Sequence, residues 1–309
     1  MKKKIVDDIR ELIGHTPMIR LNRLSLPEGV KLYAKLEYFN PGGSVKDRLG
    51  IALIEEGERS GLLKPGGTII EPTAGNTGIG VALAAIGKGY QVIFVVPEKF
   101  SEEKQELMRA LGAKVVNTPT SDGMMGAMKK AMQVAEEIPN SYCPQQFTNP
   151  ANPRIHYEMT GPEIWDQMDG NIDIFVAGAG SSGTFMGVAR YLKEKNPGIK
   201  TVIVEPEGSI IGGGQVGPHK TEGIGMEMFP DYFDWNLIDE VVTVTDEDAF
   251  RLVKELAAKE GLLVGSSSGA ACYAALGLAA GSPEGTQIVT IFPDSSERYL
   301  SKKIYQGGV

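Results

Sequence analysis

Short runs of β-branched and other apolar residues recur along the chain, and stretches with helical periodicity separate them. Strands that alternate with helices of about 10–15 residues form βαβ units and a mainly parallel sheet. The runs with strand character are residues 68–70, 91–96, 114–116, 172–177, 201–204, 240–245 and 287–292. We therefore predict an α/β protein. Because ligands bind at the carboxyl ends of such strands, the loops after them are the places to look for a site.

Two of the intervening helices have recognisable start signals. Ser101 precedes a helical pattern with acidic residues in its first turn. Thr245, with Asp248 three residues later, is typical of the start of another helix, which is predicted to run to Gly261. Residues 139–153 are rich in turn formers, and we predict that the chain crosses there between two α/β halves.

Length and charge restrict the possible partners and locations. The chain has 309 residues and a net charge of -8. This length is typical of two domains or one large domain. Because no basic patch stands out, we expect no nucleic acid as a partner. The longest apolar runs are far shorter than the roughly 20 residues that cross a bilayer, and the basic N-terminus lacks the apolar core of a signal peptide. We therefore expect no membrane association.

Cysteines and histidines are few and scattered. The two cysteines, Cys143 and Cys272, form no CxxC motif. We therefore expect neither a structural zinc site nor a disulfide framework, and no metal. Both thiols are interpreted as small buried residues, and this cysteine usage fits a reducing cytoplasm. The histidines His15, His156 and His219 are interpreted as structural.

A lysine follows a Pro-Gly-Gly turn within residues 40–48. Lys46 lies in the first turn of a helix predicted over residues 44–57, with Ser44 as its N-cap. A cation gains nothing from the positive end of a helix dipole, and the same field, with burial, lowers the pKa of a lysine. Such a lysine suits a nucleophilic amine that forms a Schiff base. An ordinary surface lysine is the alternative reading of this segment.

The first of three glycine-containing loops, residues 71–78, follows the strand at 68–70. A helix predicted from Thr77 to about Gly87 comes next. Free N–H groups at its N-terminus, together with the hydroxyls of Thr73 and Thr77, would form a carboxylate or phosphate site. A capped βα turn without a ligand is the alternative.

The second loop, residues 176–184, lies between a predicted strand and a helix that runs to about Lys195. It spells G-x-G-x-x-G, and Glu205 follows by about 20 positions, as in dinucleotide-binding proteins. A nicotinamide or flavin enzyme is therefore a competing interpretation. That fingerprint usually opens its domain, however, whereas this loop lies in mid-chain. The loop hydroxyls also suit a lone phosphate monoester.

The third loop, residues 263–270, contains three adjacent serines and precedes a helix predicted over residues 271–279. Its small residues allow a close approach, and its hydroxyls could meet a heteroatom. A loop that merely needs glycine and serine is the alternative. Taken together, the segments offer an amine, a phosphate site, a carboxylate site and a hydroxyl cluster. Pyridoxal phosphate has an aldehyde, a phosphate and a ring nitrogen, and its amino-acid substrate brings a carboxylate.

Motifs in order along nearly the whole chain resemble the cysteine synthase / cystathionine β-synthase family of pyridoxal-phosphate enzymes, of the fold-type II (tryptophan synthase β-like) group. The matching segments are residues 11–17, 40–48, 73–78, 145–153, 161–165, the second and third loops, and 293–299. The resemblance implies two three-layer α/β domains with mainly parallel sheets and the cofactor between them. The smaller, mobile domain would comprise residues 1–12 and 39–150, and the larger one residues 13–38 and 151–309. It also implies a homodimer.

The resemblance assigns roles to individual residues. Lys46 would bind the cofactor as a Schiff base and later move the α-proton of the substrate. Asn76 would hydrogen-bond the 3′ oxygen of the cofactor, and Ser267 would face the pyridine nitrogen without protonating it. The other expected cofactor residues are Gly180, Ser181, Ser182, Gly183 and Thr184 at the phosphate, and Asp294. The expected substrate residues are Thr73, Ala74, Gly75, Thr77, Gln146, Glu222 and Gly223.

The implied reaction is β-replacement, in which an amino acid loses a β-leaving group and a thiol adds. Three positions depart from the usual cysteine synthase pattern. Ala74 replaces a common serine, Ser182 replaces a usual glycine, and Glu222 replaces a usual glutamine. The Glu-Gly-Ile-Gly sequence at residues 222–225 is similar to that of cystathionine β-synthases. Its carboxylate could pair with the ammonium of homocysteine, which sulfide lacks, or Glu222 could be a solvated turn residue.

Residues 122–126 and 305–309 also look like those of bacterial O-acetylserine-dependent cystathionine β-synthases. We therefore expect cystathionine formation from O-acetylserine, or serine, and homocysteine, with sulfide accepted to give cysteine. A dedicated cysteine synthase is the first alternative, and a non-catalytic binding protein is the second. Serine acetyltransferase is a possible protein partner, and the expected location is the cytoplasm.

Overall fold

The computed structural model of the protein describes residues 5–73 and 75–306. The strands in this part of the chain are β1 (Met18–Arg20), β2 (Lys31–Leu36), β3 (Thr68–Pro72), β4 (Gln91–Pro97), β5 (Lys114–Thr118), β6 (Ser141–Tyr142), β7 (Ile174–Gly178), β8 (Lys200–Pro206), β9 (Glu240–Val244) and β10 (Gln287–Phe292). The α-helices there are α1 (Lys46–Arg59), α2 (Asn76–Ala85), α3 (Glu102–Ala110), α4 (Gly123–Glu137), α5 (Ala151–Ile155), α6 (Gly161–Gln167), α7 (Gly183–Lys195), α8 (Asp246–Glu255) and α9 (Ser266–Ala280).

These strands form two sheets. The 6-stranded sheet has the order β1-β2-β10-β7-β8-β9, and the 4-stranded sheet has the order β5-β4-β3-β6. The pair β1–β2 is antiparallel, and the other pairs are parallel. The predicted α/β class with mainly parallel sheets is confirmed. Within the described residues, no helix has the length and apolar character needed to cross a membrane.

The chain divides into two compact units. The first unit comprises Met1–Ile13 and Asn40–Asn152 and contains the 4-stranded sheet. The second unit comprises Gly14–Phe39 and Pro153–Val309 and contains the 6-stranded sheet. The chain therefore passes between the two units three times, after residues 13, 39 and 152, and each unit contains a sheet of its own.

The first unit has helices on both faces of its sheet because successive strand residues point to opposite sides. Ile69 packs in one apolar cluster with side chains of α1 and α2, such as Leu53 and Ile79. The next residue, Ile70, packs on the opposite face with Ala127 and Ala131 of α4. The unit is thus three layers thick, with the carboxyl ends of its parallel strands at one edge.

The second unit repeats this three-layer arrangement. Val176 of β7 lies in a cluster with residues of α8 and α9, whereas its neighbour Phe175 lies in a second cluster with Phe185 and Val188 of α7. The helix α5 continues into α6 through a π-helical segment at His156–Thr160. That segment packs a histidine against the helix that follows the second glycine loop.

Several elements differ from the sequence prediction. β1, β2 and β6 were not predicted, because β6 has only 2 residues and β2 contains two lysines. Lys35 of β2 is nevertheless fully buried, since its ammonium pairs with Glu163 at 2.7 Å. α9 begins at Ser266 rather than at residue 271, because the third loop itself forms the first turn of the helix.

The helix starts at Ser101 and Thr245 are confirmed. The hydroxyls of these two residues accept the N–H groups of Lys104 and Asp248, at 3.3 Å and 3.1 Å. The predicted helix after Thr245 also reaches Gly261, because α8 continues as a π-helical segment over Leu256–Glu260. Gly261 then adopts a left-handed φ of 72° and ends it.

Candidate active site

Lys46 is the first residue of α1 and is half-buried. The helix therefore begins two residues later than predicted, and Val45 occupies the cap position. The hydroxyl of Ser44 still accepts the N–H of Lys46, at 3.2 Å. The carboxylate of Asp47 accepts the N–H of Gly42, at 2.5 Å. The side chains of Ser44 and Asp47 thus fix the backbone of the turn that precedes Lys46.

The backbone of Lys46 is pressed against α2. A Cβ atom added to Gly80 would lie 2.3 Å from the carbonyl oxygen of Lys46, and one added to Gly50 would lie 2.1 Å from the carbonyl oxygen of Gly80. Only glycine permits this helix contact. Because α2 begins at Asn76, the two residues predicted to bind the cofactor in the first unit start two closely packed helices.

The loop between β3 and α2 uses part of its own hydrogen-bonding capacity. The hydroxyl oxygen of Thr73 accepts the N–H groups of Gly75, at 3.0 Å, and Gly78, at 3.2 Å. These two N–H groups therefore already have a partner within the loop. The Thr73 hydroxyl keeps its hydrogen as a donor for a carboxylate. The predicted substrate residue Ala74 lies outside the described residues.

Gln146 and Thr77, both predicted to bind the substrate carboxylate, are brought together by the fold. The hydroxyl of Thr77 donates to the side-chain oxygen of Gln146 at 2.8 Å, and both residues are buried. The side-chain amide of Asn152 donates to the backbone oxygen of Gln146 at 2.9 Å. The amide of Gln146 is thus held beside the first turn of α2.

Glu71 is a buried acid in β3, and no role was predicted for it from the sequence. The carboxylate of Glu71 accepts the N–H groups of Gln145 and Gln146, at 2.9 Å and 3.0 Å. Burial raises the pKa of Glu71 to about 7, while these two N–H groups act in the opposite direction. Glu71 is the first residue of the predicted loop at 71–78, but the structure places it in β3, which extends to Pro72.

In the second unit, the loop before α7 has the features of an anion site. Ser182 adopts a left-handed φ of 59°. Its hydroxyl is buried and has no hydrogen-bond partner among the described residues. A Cβ atom on Gly180 would lie 2.5 Å from the carbonyl oxygen of Gly223, so this position requires glycine. Gly183 is the first residue of the 13-residue helix α7, whose N-terminus favours an anion.

Two side chains from outside this loop form hydrogen bonds with it. The imidazole of His156, which is fully buried, lies 2.9 Å from the hydroxyl of Thr160 and 3.2 Å from that of Thr184. The hydroxyl of Tyr232 donates to the backbone oxygen of Ser181 at 2.8 Å. From the sequence, His156 is interpreted as structural, and no role is predicted for Tyr232. Neither residue lies in a sequence motif that reveals its spatial neighbour.

Ser267 and Gly223 also lie near each other. Ser267 is buried in the first turn of α9, and a Cβ atom on Gly223 would lie 3.9 Å from its hydroxyl oxygen. Gly223 itself has a φ of 89°, which favours glycine. The backbone N–H of Glu222 donates to the hydroxyl of Ser266 at 3.0 Å. The structure therefore brings the segment around Glu222 against the third loop.

Asp294 is buried at the other side of the third loop. Its carboxylate accepts a hydrogen bond from the hydroxyl of Tyr299. A Cβ atom on Gly265 would lie 2.2 Å from this carboxylate, so the acid packs directly on the loop backbone. Burial, and then the charge of Asp294, raises the pKa of the Tyr299 phenol well above its ordinary value.

Glu205 is the acid that a dinucleotide site would need, and its carboxylate accepts hydrogen bonds within the second unit. Its carboxylate accepts the N–H groups of Ile211 and Gly212, each at 2.8 Å, and the hydroxyl of Thr243 at 3.0 Å. This carboxylate therefore fixes a loop rather than presenting acceptors to a ribose. Within the described part of the chain, no group of three or more His, Cys, Asp and Glu side chains could hold a metal ion.

A comparison with protein families identifies the family of the chain. The model of the family described as pyridoxal-phosphate dependent enzyme matches residues 9–294. The chain belongs to this family. The resemblance drawn from the sequence motifs and the fold-type II class are confirmed, and the dinucleotide interpretation is wrong.

Individual relatives of this pyridoxal-phosphate dependent enzyme are similar over their full length. The O-acetylserine dependent cystathionine beta-synthase of Bacillus subtilis is 62% identical over 305 residues, which cover 99% of both chains. A cysteine synthase of Helicobacter pylori is 55% identical over 97% of this chain and 99% of the relative. The crystal structure of O-acetylserine dependent cystathionine beta-synthase from Helicobacter pylori has a TM-score of 0.95 at 55% identity. It covers 98% of this chain and 100% of that one.

The residues present fit the cofactor of the family. The buried hydroxyl of Ser182 and the glycine at position 180 suit a phosphate at the N-terminus of α7. Lys46 provides an amine at the start of α1, and the loop after β3 provides hydroxyl groups for a substrate carboxylate. The roles of the individual residues stay predictions.

Proposed function

We propose that this enzyme catalyses β-replacement on O-acetylserine, with serine as a possible second donor. Homocysteine would be the thiol that gives cystathionine, and sulfide would be accepted to give cysteine. The observation that carries this proposal is the 62% identity to the O-acetylserine dependent cystathionine beta-synthase of Bacillus subtilis, over 99% of both chains.

The residues of the first unit would hold the cofactor and the amino-acid substrate. When bound, pyridoxal phosphate supplies an aldehyde for the amine and a ring that withdraws electrons from the substrate α-carbon. Lys46 would hold that aldehyde through Nζ and would later take the α-proton on the same nitrogen. Asn76 would bind the ring oxygen. The substrate carboxylate would be bound by Thr73, Ala74, Gly75, Thr77 and Gln146.

The residues of the second unit would orient the cofactor and admit the thiol. Gly180, Ser181, Ser182, Gly183 and Thr184 would bind the phosphate. Ser267 would face the pyridine nitrogen as a neutral hydroxyl, and Asp294 would fix the backbone of the third loop. The support for the phosphate site is the buried hydroxyl of Ser182 at the start of α7.

The choice of thiol would depend on Glu222. Its segment is fixed by the hydrogen bond from the Glu222 N–H to Ser266 and by the left-handed Gly223. A carboxylate on this segment would attract the ammonium of homocysteine, whereas sulfide has no positive group to attract.

A dedicated cysteine synthase is the second candidate. The observation in its favour is the 55% identity to a protein named cysteine synthase from Helicobacter pylori. The solved structure named O-acetylserine dependent cystathionine beta-synthase from the same species has the same identity to this chain. Overall similarity therefore does not separate the two activities, and the thiol must be tested directly.

We also propose a homodimer. The first unit exposes the large apolar side chains of Ile9, Leu12 and Ile86. Arg10 donates to the backbone oxygen of Ala84, which places the segment of Ile9 and Leu12 beside the end of α2. Apolar side chains clustered in this way are typical of subunit contacts. A serine acetyltransferase partner and a cytoplasmic location stay predictions from the resemblance.

The test of the proposed function is to supply the purified holoenzyme with O-acetylserine and either homocysteine or sulfide. We expect cystathionine with homocysteine and cysteine with sulfide, each identified by mass spectrometry. Turnover with sulfide alone would establish the cysteine synthase instead. No turnover with either thiol, from a preparation that contains the cofactor, would favour the non-catalytic binding protein.

A further inference from the structure

Glu71 is fully buried, and its carboxylate binds two consecutive peptide groups of a distant segment. Oε2 accepts the N–H of Gln145, and Oε1 accepts the N–H of Gln146, at 2.9 Å and 3.0 Å. Burying a carboxylate is costly, and such groups are normally paired with a cation. Among the described residues, no lysine or arginine forms an ion pair with Glu71. The hydrogen bonds that this carboxylate accepts therefore come from the backbone N–H groups of residues 145 and 146.

The segment held in this way has a backbone that needs support. Gln145 has a left-handed φ of 56°, a conformation that costs a non-glycine residue about 1 kcal/mol. The backbone oxygen of Gln146 is bound in turn by the side chain of Asn152. Both peptide groups next to Gln146 are thus fixed, and one of the two anchors is the buried acid.

The fixed backbone aims the side chain of Gln146. Its Oε1 accepts the hydroxyl of Thr77, at 2.8 Å, in the first turn of α2. Thr77 lies in the same segment, residues 71–78, in which the Thr73 hydroxyl accepts the N–H groups of Gly75 and Gly78. Glu71 is therefore connected to the proposed carboxylate site through the backbone and side chain of Gln146 and the hydroxyl of Thr77.

We propose that Glu71 is a positioning residue for recognition of the substrate carboxylate, acting through the backbone of Gln145 and Gln146. The inference rests on the proposed function, because that function makes Gln146 a ligand of the amino-acid substrate. Glu71 holds the amide of Gln146 in place before the substrate arrives, so that no binding energy is lost in ordering it. Its loss weakens amino-acid binding more than it slows the chemical step.

The test compares Glu71→Gln with the wild-type holoenzyme. The substitution turns one acceptor oxygen into an NH2 group, which faces an N–H that it cannot bind. We expect the KM for O-acetylserine to rise about tenfold, with kcat changed less than about threefold, as for the loss of a buried hydrogen bond used in ground-state binding. The matched control is Glu136→Gln on the exposed face of α4, which leaves both constants unchanged.

A double-mutant cycle distinguishes positioning from general destabilisation. If Glu71 acts through Gln146, Glu71→Gln raises the KM less than about twofold in a Gln146→Ala background, because contacting residues are not additive. An equal rise in both backgrounds would overturn the proposal. If Glu71→Gln does not fold, Glu71→Asp replaces it in the same cycle. Aspartate keeps both oxygens on a shorter side chain, so we expect a smaller rise in the KM.

A readout without turnover separates this proposal from the proposed function. In hydrogen exchange of the substrate-free holoenzyme, Glu71→Gln should speed exchange of the amides at residues 145–149 and leave β4 unchanged. Unchanged exchange at 145–149 would overturn the anchoring role. A wild-type enzyme inactive toward O-acetylserine would overturn the proposed function alone, since the exchange experiment would still report whether Glu71 holds this segment.

Discussion

Nε2 of His156 lies 3.2 Å from the hydroxyl oxygen of Thr184, in the first turn of α7. The other ring nitrogen lies 2.9 Å from the hydroxyl of Thr160. The buried imidazole thus fixes the hydroxyl of a proposed phosphate ligand. Histidine supplies both contacts at once, because its ring carries two nitrogens that can each take part in a hydrogen bond.

The first prediction concerns this contact. His156→Leu should raise the dissociation constant of pyridoxal phosphate about tenfold, because the Thr184 hydroxyl loses a buried partner. Equilibrium dialysis of the apoenzyme with the cofactor measures this directly. Lys130→Leu, on α4 in the first unit, is a control that should leave the constant unchanged. Unchanged cofactor affinity in a folded His156→Leu protein would contradict the assigned role.

The second prediction uses the strained serine of the same loop. Ser182→Ala and Ser182→Gly both remove the buried hydroxyl, but only glycine tolerates the φ of 59° without cost. The apo form of Ser182→Gly should therefore be more stable than that of Ser182→Ala by about 1 kcal/mol in urea unfolding. Both should bind the cofactor more weakly than the wild type. Equal stability of the two variants would show that the loop carries no such strain.

The third prediction is a dependence of stability on pH. The folded pKa of Glu71 is raised to about 7, above the ordinary value of 4.5. Glu71 therefore contributes most to the free energy of unfolding below pH 4.5. This contribution decreases as the pH rises and is lost above about pH 7. Because the shift is positive, the folded state favours the protonated acid. The loss amounts to at most about 3 kcal/mol.

This dependence is measured by comparing the free energy of unfolding of the wild type with that of Glu71→Gln between pH 5 and pH 8. The difference should change across that range, because glutamine does not titrate. The titratable neighbours Tyr142 and Cys143 should not contribute, since burial raises the pKa of the thiol to about 12 and raises the pKa of the phenol above its ordinary value. Parallel curves for the two proteins would contradict the raised pKa.

The fourth prediction concerns the choice of thiol. Glu222→Gln should lower kcat/KM for homocysteine about three- to fivefold, the size expected for a partly exposed ion pair, and should leave sulfide nearly unaffected. Steady-state rates with each thiol on O-acetylserine measure the effect. Glu227→Gln, on the same segment and exposed, is the matched control. Equal losses with both thiols would count against pairing with the homocysteine ammonium.

The sequence predicted the elements that carry their own local signal. The strands at 91–96 and 287–292 and the helix starts at Ser101 and Thr245 follow from apolar patterns and capping residues. β2 was missed because its buried Lys35 is compensated by Glu163, which lies far away in the sequence. A local pattern cannot show a partner that only the fold supplies.

The same reason explains what was missed at the candidate site. The glycine loops and Lys46 stand in contiguous motifs, so their roles could be predicted. Glu71, His156 and Tyr232 act on residues that are distant in sequence, namely Gln146, Thr184 and Ser181. Nothing in their own neighbourhoods distinguishes them from ordinary core or surface residues. Supporting residues of this kind become visible only once the strands and helices are placed.

The central claim is that Lys46 is the lysine that holds pyridoxal phosphate. Borohydride reduction of the holoenzyme, followed by proteolysis and mass spectrometry, identifies the lysine that carries the cofactor. We predict one pyridoxyl phosphate group, on Lys46, and its loss in Lys46→Ala. A label on a different lysine, or a protein that contains the cofactor but has no label on Lys46, would contradict the account.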